Sequence, residues 1–277
     1  MELGVKGLMR TFVRQNFLQS LFLLVLALLV PLTGWLLKDW DSSSSKASLS
    51  ELRSGCVWVA GLFVSMCSLK YFLLPFCRKS ITAKLVGKLR EERAQKLTNE
   101  VFKGVFFTLS FGAGCYLLVT GEGLGSFLDV QFGYNVFWWL VHTLSPPRKD
   151  FVEVLLHHTV TVILVALGKL LGLQYVSVLV LNVHSMPEIF VCLTKIFYEL
   201  GCGLLFRLSL GILVISWAYL RLWFSSVHIL YNQSYSLLVD NKSYLVLNLL
   251  MHVVLCLNLY WFYFLVKKSL SSVLSNY

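Results

Sequence analysis

Charge is scarce in this chain. Asp, Glu, Lys and Arg make up only 14% of its 277 residues, whereas 57% are hydrophobic. A soluble domain of this length needs far more charge to cover its surface, so the composition excludes that class and indicates an integral membrane protein. Acidic residues are the scarcest: 24 basic against 14 acidic side chains leave a formal charge of +10. In a membrane protein such an excess belongs to cytoplasmic loops and anionic headgroups. No RNA-binding signature interrupts the apolar runs, and no nucleic-acid partner is expected.

Several other absences narrow the reading. The seven cysteines (Cys56, Cys67, Cys77, Cys115, Cys192, Cys202 and Cys256) include no C-x-x-C pair and no Cys/His ligand spacing. Neither a disulfide framework nor a zinc site is expected, and these residues read as small packing groups. Histidine-rich boxes of the H-x-x-H-H kind, which membrane di-iron enzymes repeat, are missing too, so no metal is expected. The N-terminus does not resemble a cleaved leader. Lys6, Arg10 and Arg14 precede an apolar run from Phe17 to Leu37 that is too long for a signal h-region. It reads as a first anchor with its basic end in the cytosol. No linker divides the chain, and the Ser42–Ser45 run is taken as a solvated turn.

What the chain has in quantity is long apolar stretches. A spanning helix needs roughly 20 mainly apolar residues. Candidates are Phe17–Leu37, Gly55–Phe76, Phe102–Thr120, Leu128–Leu144, Phe151–Leu171, Tyr175–Leu200, Leu204–Ser225 and Leu245–Val266. The expected fold is an all-α polytopic bundle of about eight transmembrane helices. The fourth candidate is diluted by Asp129, Gln131, Asn135 and His142, and the sixth is expected to kink or break at Pro187. Loop charge orients the bundle. Lys79, Lys84, Lys88, Arg90, Arg93 and Lys96 outnumber Glu91, Glu92 and Glu100 in one connection, which is therefore cytoplasmic. Within it, Ser80–Leu97 can form a basic amphipathic helix on the membrane face. Arg148 and Lys149 return to the cytosol, as do Lys267 and Lys268. The Ser226–Tyr244 segment is then lumenal, with sequons at Asn232 and Asn241.

The costliest residues mark the candidate site. Ionisable and imidazole side chains inside a span face a cavity or a partner, and they are functional candidates by default. Arg148, Lys149, Asp150 and Phe151 open an apolar span that carries Glu153, the pair His157 and His158, and Thr161. Successive helical residues turn by roughly 100°, so the two histidines cannot point the same way. Asp150, Val154, His157 and Thr161 share one stripe. The next span carries a second polar stripe of His184, Glu188, Cys192 and Lys195, and two such stripes in antiparallel neighbours can line one cavity. His142, His228 and His252 are read as packing residues.

These residues resemble the TLC-domain membrane proteins, and within them the ceramide synthase (longevity-assurance) branch. Arg148-Lys149-Asp150-Phe151, His157-His158 and Thr161 match the first half of that branch's motif. Leu179 to His184 and Lys195 match the second half in order and spacing. Upstream, Lys96-Leu97, Glu100, Phe102, Lys103 and Phe137 to Leu140 also fit, as do Arg221-Leu222-Trp223 and Trp261-Phe262-Tyr263 further on. The chain departs from the pattern at Ser185 and Glu188, which stand where the family has aspartates, and at Cys192, where it has a glutamate. The expected division is N-terminal anchors and a basic connection over 1–95, a TLC domain over 96–266, its six spans around a lipid cavity, and a short cytosolic tail over 267–277.

The resemblance implies N-acyl transfer in the endoplasmic reticulum membrane, from a fatty acyl-CoA to the amine of a sphingoid base. No cofactor is implied beyond acyl-CoA as co-substrate. His157 is then the first candidate for base or nucleophile, with His158 as its partner and His184 as a second base or thioester-orienting group. Glu188 would orient His184, while Arg148 and Lys149 would meet the CoA phosphates. Asp150, Thr161, Ser185 and Lys195 complete the expected substrate contacts, with membrane lipids as further partners and a homo- or heterodimer left open. The rival reading is a non-catalytic TLC-domain protein that binds lipids or assists translocation. On the loop charges both termini face the cytosol. Tags at either end should therefore be digested by protease added outside sealed microsomes, and a protected C-terminal tag would reveal a miscounted span.

Overall fold

A computed structural model of the chain describes residues 91–145, 150–231 and 241–274. The first two expected spans, Arg148 and Lys149, and the Asn232 sequon lie outside the described residues. Within them the apolar runs form six α-helices: α1 (Glu91–Thr120), α2 (Leu124–Leu144), α3 (Phe151–Leu170), α4 (Gln174–Glu199), α5 (Gly203–Ser216) and α6 (Asn241–Leu274). A π-helical segment, Trp217–Leu230, continues α5. Five stretches are long and apolar enough to cross a membrane: Lys96–Thr120, Phe151–Leu170, Gln174–Glu199, Gly203–Leu230 and Lys242–Ser271. The protein is thus a multi-pass membrane protein.

Glycine sets the sharpest reversals. Gly172 and Gly201 both sit at φ +72°, a conformation that side chains with a Cβ avoid. Each closes its helix in the same way. Leu173 N–H donates to Gly168 O at 2.8 Å and Gly172 N–H to Lys169 O at 3.2 Å. Cys202 N–H likewise donates to Phe197 O at 3.0 Å and Gly201 N–H to Tyr198 O at 3.1 Å. These bonds satisfy carbonyls that a helix end would otherwise leave bare in an apolar setting. Short turns after α3 and α4 make consecutive helices antiparallel.

Small residues let α1 and α4 approach closely. A Cβ on Gly104 would lie 3.3 Å from Cys192 Cβ, and one on Gly114 would lie 2.5 Å from Asn182 Oδ1. The same antiparallel register brings Arg93 to Glu199 at 3.7 Å and Lys195 to Glu100 at 3.3 Å. Elsewhere Phe106 stacks on Tyr134 between α1 and α2, with ring centroids 3.6 Å apart. Val160 and Leu167 of α3 pack on Val246, Leu250 and Val254 of α6.

Several expectations are revised. The fourth span is helical from Leu124, but its polar residues keep α2 below the apolarity of the other five. They are used inside the bundle: Asp129 pairs with Lys169 of α3, and Gln131 bonds Ser110 of α1. Pro187 does not break α4, which runs unbroken past it with the proline buried. The presumed tail from 267 is the last part of α6, helical to Leu274. Of the expected basic helix Ser80–Leu97, residues 80–90 lie outside the described residues, and the remainder is helical within α1. Neither the π segment nor its reach to Leu230 was foreseen. Trp217, Arg221, Ser225 and Ile229 are all buried there. Their four-residue spacing keeps them within one broad inner face of the segment.

The α1/α4 seam yields a stability test. Gly114→Val must displace the buried Asn182 side chain and is expected to cost about 1–3 kcal/mol. Gly112, with open space around its Cβ position, should accept Ala without loss. Thermal unfolding in detergent compares the two, and equal melting temperatures would mean the seam is not close-packed.

Candidate functional site

The inner faces of the described helices line a cavity of about 700 Å3. From α3 it is lined by Asp150, Val154, His157, His158 and Thr161, and from α4 by His184, Ser185, Glu188 and Lys195. The two expected stripes therefore meet on one space. Both adjacent histidines line it from neighbouring arcs, their ring centroids 5.7 Å apart and their planes tilted by 56°. Cys192 does not. It is buried toward Gly104 of α1.

Hydrogen bonding sorts the imidazoles. His142 Nε2 lies 2.8 Å from Phe151 O, and its ring stacks on the Phe151 ring at 4.8 Å, so it is a satisfied packing residue as read from the sequence. His184 Nδ1 lies 2.8 Å from Val180 O. A carbonyl can only accept, so Nδ1 carries the proton, and Nε2 accepts from Asn258 Nδ2 at 3.3 Å. Both nitrogens of His184 are engaged. His157 and His158 differ: Nδ1 of each is buried with no hydrogen-bond partner among the described residues. The His157 ring stands edge-on to Trp261 of α6 at 5.2 Å, and His158 lies 6.3 Å from the His142 ring.

Thr161 and Ser185 are tied to their own helices. Thr161 Oγ1 donates to His157 O and Ser185 Oγ to Leu181 O, each at 2.8 Å. Their oxygens can still accept from a ligand. Asp150 is exposed at the start of α3 and makes no side-chain cap bond.

Glu188 does not have the expected role. Its Oε1 accepts from Arg221 Nη2 at 2.6 Å, and the same nitrogen donates to His184 O at 2.9 Å. Arg221 comes from the π segment, is 2% exposed and lies 4.0 Å over the Trp217 ring. An arginine inside a span needs a counter-charge more than a neutral imidazole needs a carboxylate, so the carboxylate goes to the guanidinium. Asn258 takes the place at His184 that Glu188 was expected to fill.

The cavity is unlike at its two ends. Lys103, Lys195, Lys268 and Asp150 stand at the end formed by the start of α3 and the end of α4. Lys103 Nζ lies 4.3 Å over the Trp138 ring. The opposite half is lined mainly by aliphatic groups, among them Leu164, Val176, Leu181, Ile229, Leu247 and Met251, with polar members that include Gln131, Ser177, Tyr244 and Asn248. Arg221, Asn258 and Lys103 were not among the expected site residues. An arginine well inside one apolar span and a glutamate well inside another are a readable pair, but no pattern in the sequence says that the two helices touch.

The ion pair generates a test. Glu188→Ala leaves a buried guanidinium uncompensated and is expected to cost about 3–5 kcal/mol of stability. Replacing Glu188 and Arg221 together by Met should recover most of it, and melting temperatures of the three proteins decide. Equal losses in the single and double variants would mean the pair does not couple.

Residues 96–267 match the family model of the TLC domain. Human ceramide synthase 1 is 32% identical over 166 residues, covering 56% of this chain and 44% of that protein. ASC1-like protein 3 of Oryza sativa is 28% identical over 222 residues, covering 68% of this chain and 77% of its own length. Ceramide synthase LOH1 of Arabidopsis thaliana is 25% identical over 147 residues, covering 50% and 46%. The chain thus matches less than half the length of the human and Arabidopsis proteins.

Proposed function

The chain belongs to the TLC-domain family, as a divergent member similar to ceramide synthases, and from that premise we propose that it is an acyl-CoA-dependent N-acyltransferase of sphingoid bases. The observation that carries this reading is the state of His157 and His158. Each presents a ring to a large cavity while its Nδ1 has no partner among the described residues. A packing histidine in an apolar span would be satisfied, as His142 is.

The chemistry follows from the arrangement. The uncharged amine of the base attacks the thioester carbonyl carbon, and the C=O electron pair moves to oxygen. Collapse expels the CoA thiolate and leaves an amide. A neutral imidazole takes the proton that the amine must lose and passes it to the thiolate. His157 is the base in this scheme, with His158 beside it and Thr161 as a hydroxyl acceptor for the base's polar end. His184 contributes as a fixed wall and not as a second base, since both its nitrogens are bonded. At the basic end Lys103, Lys195 and Lys268, with Arg148 and Lys149 outside the described residues, suit the CoA phosphates. The aliphatic half suits an acyl chain. The proposed location of this multi-pass protein is the endoplasmic reticulum membrane.

A second reading has one observation in its favour. The four α4 side chains expected at the site are engaged: His184 by Val180 and Asn258, Ser185 by Leu181, Glu188 by Arg221 and Lys195 by Glu100. A lipid-binding or translocation-assisting protein would need no more. Microsomes containing the chain, labelled sphingoid base and a panel of acyl-CoAs separate the two. Catalysis predicts amide formation that falls by at least about 100-fold in the His157→Ala, His158→Ala double variant at equal protein level. Undiminished turnover in that variant removes the histidines from the chemistry, and no turnover by the parent with any acyl-CoA leaves the lipid-handling reading.

A further inference from the structure

The most demanding side chain in the cavity wall is one the acyl-transfer scheme has not used. Arg221 is 2% exposed and borders the cavity from the π segment. Its Nη2 is committed to Glu188 and to His184 O, and one face of the guanidinium is covered by Trp217. Nε and Nη1 are buried and have no hydrogen-bond partner among the described residues. A cation held on one edge and one face, with donors kept dry and unspent, is costly to maintain in an apolar bundle unless an acceptor arrives.

Charge balance tells which acceptor. Glu188 already neutralises the guanidinium, so the resting pair does not call for a full anion. It suits an oxygen that is neutral on arrival and becomes negative during reaction, the case in which preorganised donors are worth most. His157, the proposed base, stands edge-on to Trp261 at 5.2 Å, the Trp261 indole lies 6.5 Å from that of Trp217, and Trp217 covers Arg221 at 4.0 Å. An acyl group held along those indoles would meet a proton acceptor from α3 and a guanidinium from the π segment.

We propose that Arg221 is the oxyanion-stabilising catalytic residue, donating from its unpartnered nitrogens to the carbonyl oxygen of the thioester. This rests on the N-acyltransferase reading. When the amine nitrogen bonds to the carbonyl carbon, the oxygen takes up the C=O electron pair and Arg221 balances it. When the C–S bond breaks, the pair returns to the carbonyl and the thiolate leaves with the proton carried by the imidazole.

The test uses the full chain in lipid nanodiscs with palmitoyl-CoA and dihydrosphingosine. Arg221→Lys keeps a cation opposite Glu188 but cannot serve both the carboxylate and a substrate oxygen. It is expected to lower kcat by about 100-fold while KM for both substrates stays within about threefold. Arg221→Ala should fall as far and regain turnover with added guanidinium ion. A measurement on the parent needs no variant. Palmitoyl-CoA labelled with 13C at the carbonyl, bound without amine, should show its C=O stretch at lower wavenumber than in protein-free nanodiscs. An active parent with an unshifted band, or an Arg221→Lys variant with kcat within about threefold of the parent, overturns the assignment and leaves the N-acyltransferase reading standing. A parent that acylates no sphingoid base overturns both.

Discussion

The bundle is organised around a guanidinium buried in the middle of a span. Such a group must be neutralised and hydrogen-bonded inside the protein, because lipid offers neither charge nor acceptors. Arg221 meets this demand through Glu188 and the His184 carbonyl, which ties the π segment to α4 at the level of the histidines. Burial of Trp217, Arg221, Ser225 and Ile229 holds the arginine, its aromatic cover and a hydroxyl on the inner side of the segment.

That constraint also divides the histidines. With Glu188 drawn to Arg221, His184 takes its second hydrogen bond from Asn258, a residue 1% exposed whose backbone oxygen in turn accepts from Trp217 Nε1 at 3.1 Å. The result is a rigid wall of His184, Asn258, Trp217 and Arg221 from three elements. Across from it, His157 and His158 keep nitrogens uncommitted. Rigid donors facing uncommitted acceptors are what a proton-transferring site requires, and the two kinds of side chain sit on different helices.

Much of the architecture was readable from residue pattern alone. Hydropathy located the six described α-helices, five of them apolar enough to span, because length and apolarity are written locally along the chain. Spacing put Asp150, His157 and Thr161 on one stripe and His184, Glu188 and Lys195 on another, since helical geometry fixes those faces without knowledge of the neighbours. The unread parts depend on what lies opposite. That Glu188 serves an arginine some thirty positions later in the chain, that Asn258 reaches His184, and that Gly114 exists to admit Asn182 are facts about helix contacts. At Pro187 the expected break is absent: α4 runs on past the proline, which is buried. The π segment was invisible because its residues satisfy an α-helical pattern almost as well.

The departures from the family's acidic pattern follow from this accounting. A glutamate at 188 reaches the guanidinium of a neighbouring element, and one carboxylate is all that one guanidinium needs. A second carboxylate at 185 would stand beside His184 and Leu181 with no further described cation bonded to either residue, whereas the Ser185 hydroxyl is satisfied within its own helix at 2.8 Å. Serine there keeps the middle of the cavity neutral in its resting state. The cavity's lysines Lys103, Lys195 and Lys268 are then gathered at the basic end. A neutral centre with unspent donors favours a ligand that is uncharged where it reacts and charged where it enters. A fatty thioester of a phosphorylated carrier is a molecule of that kind.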